Sequence, residues 1–152
     1  MNHYQRDLVR GTLEMLRPIS KEFGEEFYER LFRLDPGLKA LFHGNVENQA
    51  SMFVTALHAA ALGLVEEGVV PTFVRELGAR HDGYGVRDPH FATFRTALLD
   101  SLKSRLGAGF TPEVRDAWAE AYDTLAVAMK EAVHGHMAEQ EPAHEPARNS
   151  VF

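Results

Sequence analysis

The chain contains no cysteine. Disulfides, thiolate ligands, iron–sulfur clusters and cysteine-built zinc sites are therefore excluded. No apolar run approaches the length needed to cross a bilayer, so no membrane span is expected. Lys and Arg form no cluster, and the formal net charge is −6, which argues against a nucleic-acid surface. The first residues, Met1-Asn2-His3-Tyr4-Gln5-Arg6-Asp7, hold no apolar signal core, so a cytoplasmic protein is the default expectation. Strict alternation of apolar and polar residues is also missing, so no strand is expected.

What is present is helical periodicity. The 152 residues, 45% hydrophobic and 25% charged, suit one globular domain able to bury about two-thirds of its unfolded surface. A first helix is predicted from about Tyr4 to Leu16, with Leu8, Leu13 and Leu16 inward and Pro18 just beyond. Ser20 is placed as the cap of a second helix with the stripe Phe23, Phe27, Leu31 and Leu34, flanked by Gly24, Tyr28 and Phe32. Pro36 starts a short helical turn closing at Leu41-Phe42, and His43-Gly44-Asn45 reads as a loop. A long helix from about Val46 to Val65 carries Gln49, Phe53, Leu57, Ala60 and Leu64 on one face, and Gly68 breaks it. Pro71 opens the next helix. Asp88-Pro89 and Thr111-Pro112 each read as a cap followed by proline in the first turn. The helices they open carry Phe91, Phe94, Leu98, Leu102 and Leu106, then Val114, Trp118, Tyr122, Leu125 and Met129. From His136 onward the Glu-, Pro- and Ala-rich sequence loses its period and is expected to be disordered.

Seven helices of unequal length fit crossed packing around a pocket better than a four-helix bundle. Phe73, Leu77 and His81 lie four apart, one above another, so an imidazole stands where a third aliphatic residue would be expected. If one ring nitrogen donates to the Leu77 carbonyl, the other can take a proton or bind a metal. A core histidine satisfied by backbone and water meets the same spacing. Tyr28 and Gln49 are two further polar departures on inward stripes, and each alone reads equally well as a core tyrosine or a boundary residue. Burying all of them unpaired would cost roughly 1–3 kcal/mol apiece. A shared polar ligand would remove that cost.

With these residues assembled, the chain resembles a single-domain bacterial globin, a bacterial haemoglobin related to the haem domain of flavohaemoglobins. The likeness runs from about Leu8 to Met129. It is carried by Phe27-Tyr28-Glu29-Arg30-Leu31-Phe32, Pro36-Gly37-Leu38-Lys39-Ala40-Leu41-Phe42, Leu77-Gly78-Ala79-Arg80-His81 with Tyr84-Gly85-Val86, and Ala117-Trp118-Ala119-Glu120-Ala121-Tyr122. The resemblance implies an all-α globin fold over residues 1–135, a disordered tail over 136–152, and haem b with His81 as proximal iron ligand. It implies Phe42 stacked on the haem face, Val86 and Phe94 as apolar haem contacts, and Tyr28, Gln49 and Phe53 on the distal, gas-binding side. Gly24 and Ala50 match small residues at a helix crossing. The stretch from Phe42 to His81 is about three residues shorter than in flavohaemoglobins, which leaves Met52 as the alternative to Gln49.

Two departures from flavohaemoglobins stand out beneath the haem. Phe91 occupies the place of a tyrosine, and Val133 that of a glutamate, which together polarise the proximal histidine there. The resemblance therefore implies a less anionic His81 and, first, reversible binding of dioxygen, whether for oxygen transport or storage, or of nitric oxide or carbon monoxide. The alternative is an enzyme, a nitric oxide dioxygenase or weak peroxidase served by a separate reductase.

Overall fold

The computed structural model describes residues 1–42, 45–83 and 86–138; the side chains of 46, 81–83 and 133–138 fall outside that description. Among the described residues six α-helices follow in order: α1 (His3–Leu16), α2 (Ser20–Leu34), α3 (Val46–Glu67), α4 (Thr72–Gly83), α5 (Asp88–Leu106) and α6 (Pro112–Ala138). Tight 3-10 turns at Arg17–Ile19, Pro36–Leu41 and Gly107–Gly109 link some of them, and no strand occurs among the described residues. The seventh expected helix is the Pro36–Leu41 turn. The fold is all-α. α6 runs on to Ala138, past the boundary expected at residue 135, and 139–152 lie outside the described residues.

Helix starts follow side-chain chemistry, not always at the predicted residue. Asn2 caps α1 by accepting from the Gln5 amide at 2.8 Å, while Gln5 reaches back to the Asn2 amide at 3.0 Å. Asn45 accepts from Glu47 and Asn48 at 2.7 and 3.3 Å, and Thr111 accepts from Val114 at 3.2 Å. Ser20 is no cap: it is the first residue inside α2, which the Arg17–Ile19 turn feeds directly. At α5 the cap is Arg87, one residue before Asp88, and its amide donates to Nδ1 of His90 at 2.9 Å. Gly68 ends α3 at φ 74°, a left-handed conformation that glycine takes without strain.

The core collects Val9, Leu13 and Leu16 of α1, Phe23, Phe27 and Leu31 of α2, and Leu98 and Leu102 of α5, with Trp118 of α6. Burying each large side chain is worth about 1.5–3 kcal/mol. Leu34, expected on this face, is 49% exposed because α2 ends there and turns into Pro36. Exposed ion pairs such as Arg95–Asp123 at 2.9 Å and Arg105–Glu26 at 3.1 Å contribute only about 0.2–1 kcal/mol each. Packing, not charge, decides the arrangement.

Two glycines set the closest helix approaches. At Gly24 a Cβ would meet the Ala50 carbonyl oxygen at 2.7 Å, so α2 and α3 cross backbone to backbone at the predicted small pair. At Gly78 a Cβ would fall on the Met129 carbonyl and 2.7 Å from its Cα, which seats α4 on α6. Gly11, by contrast, has nothing within 4 Å of its Cβ direction and lies on the exposed face of α1. Gly24→Ala should therefore lower stability by about 1–3 kcal/mol through overpacking. Gly11→Ala should raise it by roughly 0.5–1 kcal/mol through helix propensity. Urea unfolding checks both, with midpoints moving in opposite directions.

Candidate functional site

The α2–α3 crossing decides what faces the interior beside it. One turn after Gly24 on α2 stands Tyr28, and immediately before Ala50 on α3 stands Gln49; both are buried, 1% and 4% exposed. Met52, the alternative to Gln49, is 44% exposed. The buried face of α3 is thus Gln49, Phe53, Ala60 and Leu64, with half-buried Leu57 among them.

Tyr28 sits in a cage of rings. Its edge meets Phe27 at 5.3 Å, Phe42 at 5.2 Å and Phe53 at 5.8 Å between centroids, and Phe32 lies 5.8 Å away. Phe42, on the residue that closes the Pro36–Leu41 turn, also meets Phe32 edge-on at 5.2 Å. Phe53 stacks on Phe27 at 4.0 Å, and Phe94 lies parallel to Phe27 at 6.1 Å. Such pairs contribute about 0.5–1.5 kcal/mol each beyond burial. They also hold the phenol in one orientation. Burial pushes the Tyr28 hydroxyl well above its ordinary pKa, so it stays protonated and remains a donor.

Behind this cage lies an apolar cavity of about 90 Å³, walled by Phe27, Phe53, Leu57, Leu77, Phe91 and Phe94 among others. α3 packs on α1 and α2 while α4 packs on α6, so the two helices part beyond their Gly68–Pro71 junction. The cavity is bounded by side chains of α2, α3, α4, α5 and α6. Val74 and Leu77 of α4 line it, and His81 follows one turn later on the same helix. The imidazole of His81, like Tyr84 and Gly85, lies outside the described residues. Val86, just after them, is 4% exposed.

On the α5–α6 side the sequence reading missed a contact. The Tyr122 hydroxyl donates to the Phe91 carbonyl at 2.8 Å, across 31 residues of sequence. Burial, then the nearby Asp123, raise the Tyr122 pKa against the lowering pull of Arg95. The signal was available: a tyrosine on an inward stripe needs a partner for its hydroxyl. Phe91 presents its ring to the cavity and carries Lys130 Nζ 5.1 Å from its centroid. No phenol is offered at position 91, and the one at 122 is committed to a backbone carbonyl. The cavity is lined almost wholly by apolar side chains, while Tyr28 and Gln49 are buried beside the α2–α3 crossing.

Known proteins resemble this chain in sequence and fold. The family model for Globin matches residues 25–129. An anaerobic nitrite reductase of Oryza sativa subsp. indica is 33% identical over 135 residues, 84% of this chain and 92% of that protein. A flavohemoprotein of Xylella fastidiosa is also 33% identical, over 82% of this chain but 32% of its own length. Among solved structures, an engineered carbene transferase from Rhodothermus marinus superposes with a TM-score of 0.81 at 27% identity, covering 91% of this chain and 97% of that one. The flavohemoglobin of Malassezia yamatoensis, at 19% identity and a TM-score of 0.78, shares the fold over 37% of its length. The chain belongs to the globin family.

Proposed function

We propose that this globin binds dioxygen and related diatomic gases reversibly, with His81 as the proximal ligand and Tyr28 and Gln49 as the distal donors. Haem is the cofactor that membership of the family brings. When bound, it supplies an iron that accepts one imidazole and leaves one position for a gas. The observation that carries the reading is the burial of both Tyr28 and Gln49, with Tyr28 set among four aromatic rings.

The chain's own residues divide the work. His81, one turn beyond Leu77, would hold the iron from α4. Phe42, Val86, Phe94 and Phe53 would pack on the macrocycle and keep water out. Tyr28, locked by four rings, would aim its hydroxyl at a ligand that gathers negative charge, and Gln49 would add an amide. In a dry pocket such bonds are electrostatically stronger than in water. The fixed cage means that little ordering is left to be done when the ligand arrives.

A second reading has support in the relatives. The Rhodothermus marinus protein is provisionally named a nitric oxide dioxygenase, the rice relative a nitrite reductase, and the Xylella fastidiosa relative a flavohemoprotein. An enzyme of this kind would draw electrons from a separate reductase. The same distal pair would serve it, and turnover with a reductant, rather than binding, separates the two.

His81→Ala should give a helical protein that retains little haem; full occupancy with an unchanged ferrous spectrum would refute the proximal assignment. A hydrogen bond to a charged acceptor contributes roughly 1.5–3 kcal/mol, so Tyr28→Phe should speed dioxygen dissociation at least about tenfold. Carbon monoxide, which gathers less charge, should respond far less, and Gln49→Leu should act in the same direction as Tyr28→Phe. Equal changes for both gases would show that Tyr28 acts by bulk alone. Because burial raises the Tyr28 pKa, its donation should persist through neutral and mildly alkaline solution. The dioxygen off-rate should accordingly stay flat up to about pH 10, the ordinary phenol value. Above that value the unfolded chain releases the Tyr28 proton while the folded one keeps it, so stability should fall as pH rises. Urea unfolding should show a shallower alkaline loss in Tyr28→Phe.

A further inference from the structure

One cation rests against the wall of the cavity with no acid to balance it. Lys130 of α6 is half-buried and carries its Nζ 5.1 Å from the centroid of the Phe91 ring, where an ammonium is drawn to the negative face of an aromatic ring. Phe91 is 7% exposed and walls the apolar cavity with Leu77 and Phe94. The same ring thus touches the cavity and the cation. Other charges on this α5–α6 seam are matched: Arg95 meets Asp123 through two nitrogens at 2.9 and 3.3 Å. Among the described residues no carboxylate forms an ion pair with Lys130, although Glu131 follows it and Asp123 lies two turns before it. Its backbone is also well anchored. Gly78 of α4 seats against Met129, the residue before Lys130, and Tyr122 holds the Phe91 carbonyl at 2.8 Å.

A fixed positive charge beside an apolar cavity favours whichever state of an occupant is less positive, because little solvent screens it from that side. Haem iron has two such states, and the ferrous one carries one positive charge fewer than the ferric. The rings and aliphatic groups that line the cavity suit an apolar macrocycle. We propose that Lys130, held on the Phe91 ring, biases the haem toward its ferrous state, the one that binds dioxygen. The inference rests on the haem that family membership brings and on its seating in this cavity. Lys130 acts through space and through the ring, so it is a positioning residue. It keeps its proton, and no bond in the protein forms or breaks as the iron takes up one electron.

The test is the midpoint potential of the holoprotein, followed by absorption while a mediated electrode supplies that electron. Lys130→Met should lower the midpoint. Lys130→Glu should lower it about twice as far, because the change of charge doubles. Lys130→Arg should keep it near the wild-type value. Lost packing alone would not scale with charge in this way. An unmoved midpoint in Lys130→Met, or a shift in Lys130→Arg as large as in Lys130→Met, would overturn the proposal. Proton NMR of the carbon monoxide complex reads the contact itself. The Lys130 ε-methylene protons should lie upfield in the ring current of Phe91 and move downfield in Phe91→Leu; equal shifts in the two proteins would place the cation off the ring and overturn the proposal too. A protein without haem absorption would sink the gas-binding reading together with this one, whereas haem with an unmoved midpoint sinks this one alone.

Discussion

The backbone contact of Gly24 with Ala50 is the constraint on which the site depends. A side chain at residue 24 would strike the Ala50 carbonyl, so only a glycine lets α2 and α3 come this close. The closeness then propagates along both helices. One turn from the crossing Phe27 and Phe53 stack at 4.0 Å, and beside them Tyr28 and Gln49 enter one buried region. Crossings of this kind transmit error readily, because packed cores resist small displacements. A shift of α2 by a fraction of an ångström would loosen the rings that orient the Tyr28 hydroxyl before it changed the fold.

The opposite wall is built by the same device. Gly78 seats α4 on the Met129 backbone, and His81 follows three residues later on that helix. The helices that carry Tyr28 and His81 are thus each fixed by a glycine against backbone, with apolar side chains filling the space between. Tyr122 adds a third tie by joining α6 to the start of α5 through the Phe91 carbonyl. Near that tie, Phe91 carries the Lys130 ammonium over its ring. Position 91 thus offers no phenol hydroxyl, in keeping with gas binding as the first proposed reading and enzymatic turnover as the second.

Much of this was legible in the sequence because it is local. The α3, α5 and α6 stripes follow from a 3.6-residue period, and Gly68 and Thr111 end or begin helices for reasons contained within a few residues. Leu34 shows the limit: its spacing is inward, but the helix stops and the chain turns, leaving it in solvent. Ser20 and Asp88 have cap chemistry, yet the preceding backbone geometry hands the cap to Ile19 and Arg87. The Tyr122 bond and the seating of Lys130 on the Phe91 ring depend on how distant helices meet. Neither has a short-range signature. The placement of Gln49 rather than Met52 on the buried face was decidable from stripe continuity, because one roll of α3 serves the whole helix.

The central claim is a haem held by one protein ligand from α4, with the opposite position open for a gas beside Tyr28 and Gln49. The absorption spectrum of the purified, reduced protein before and after carbon monoxide tests it most directly. The account predicts a five-coordinate ferrous spectrum that converts to a six-coordinate one on adding the gas. A protein without haem absorption, or one already six-coordinate through a side chain before the gas is added, would contradict it.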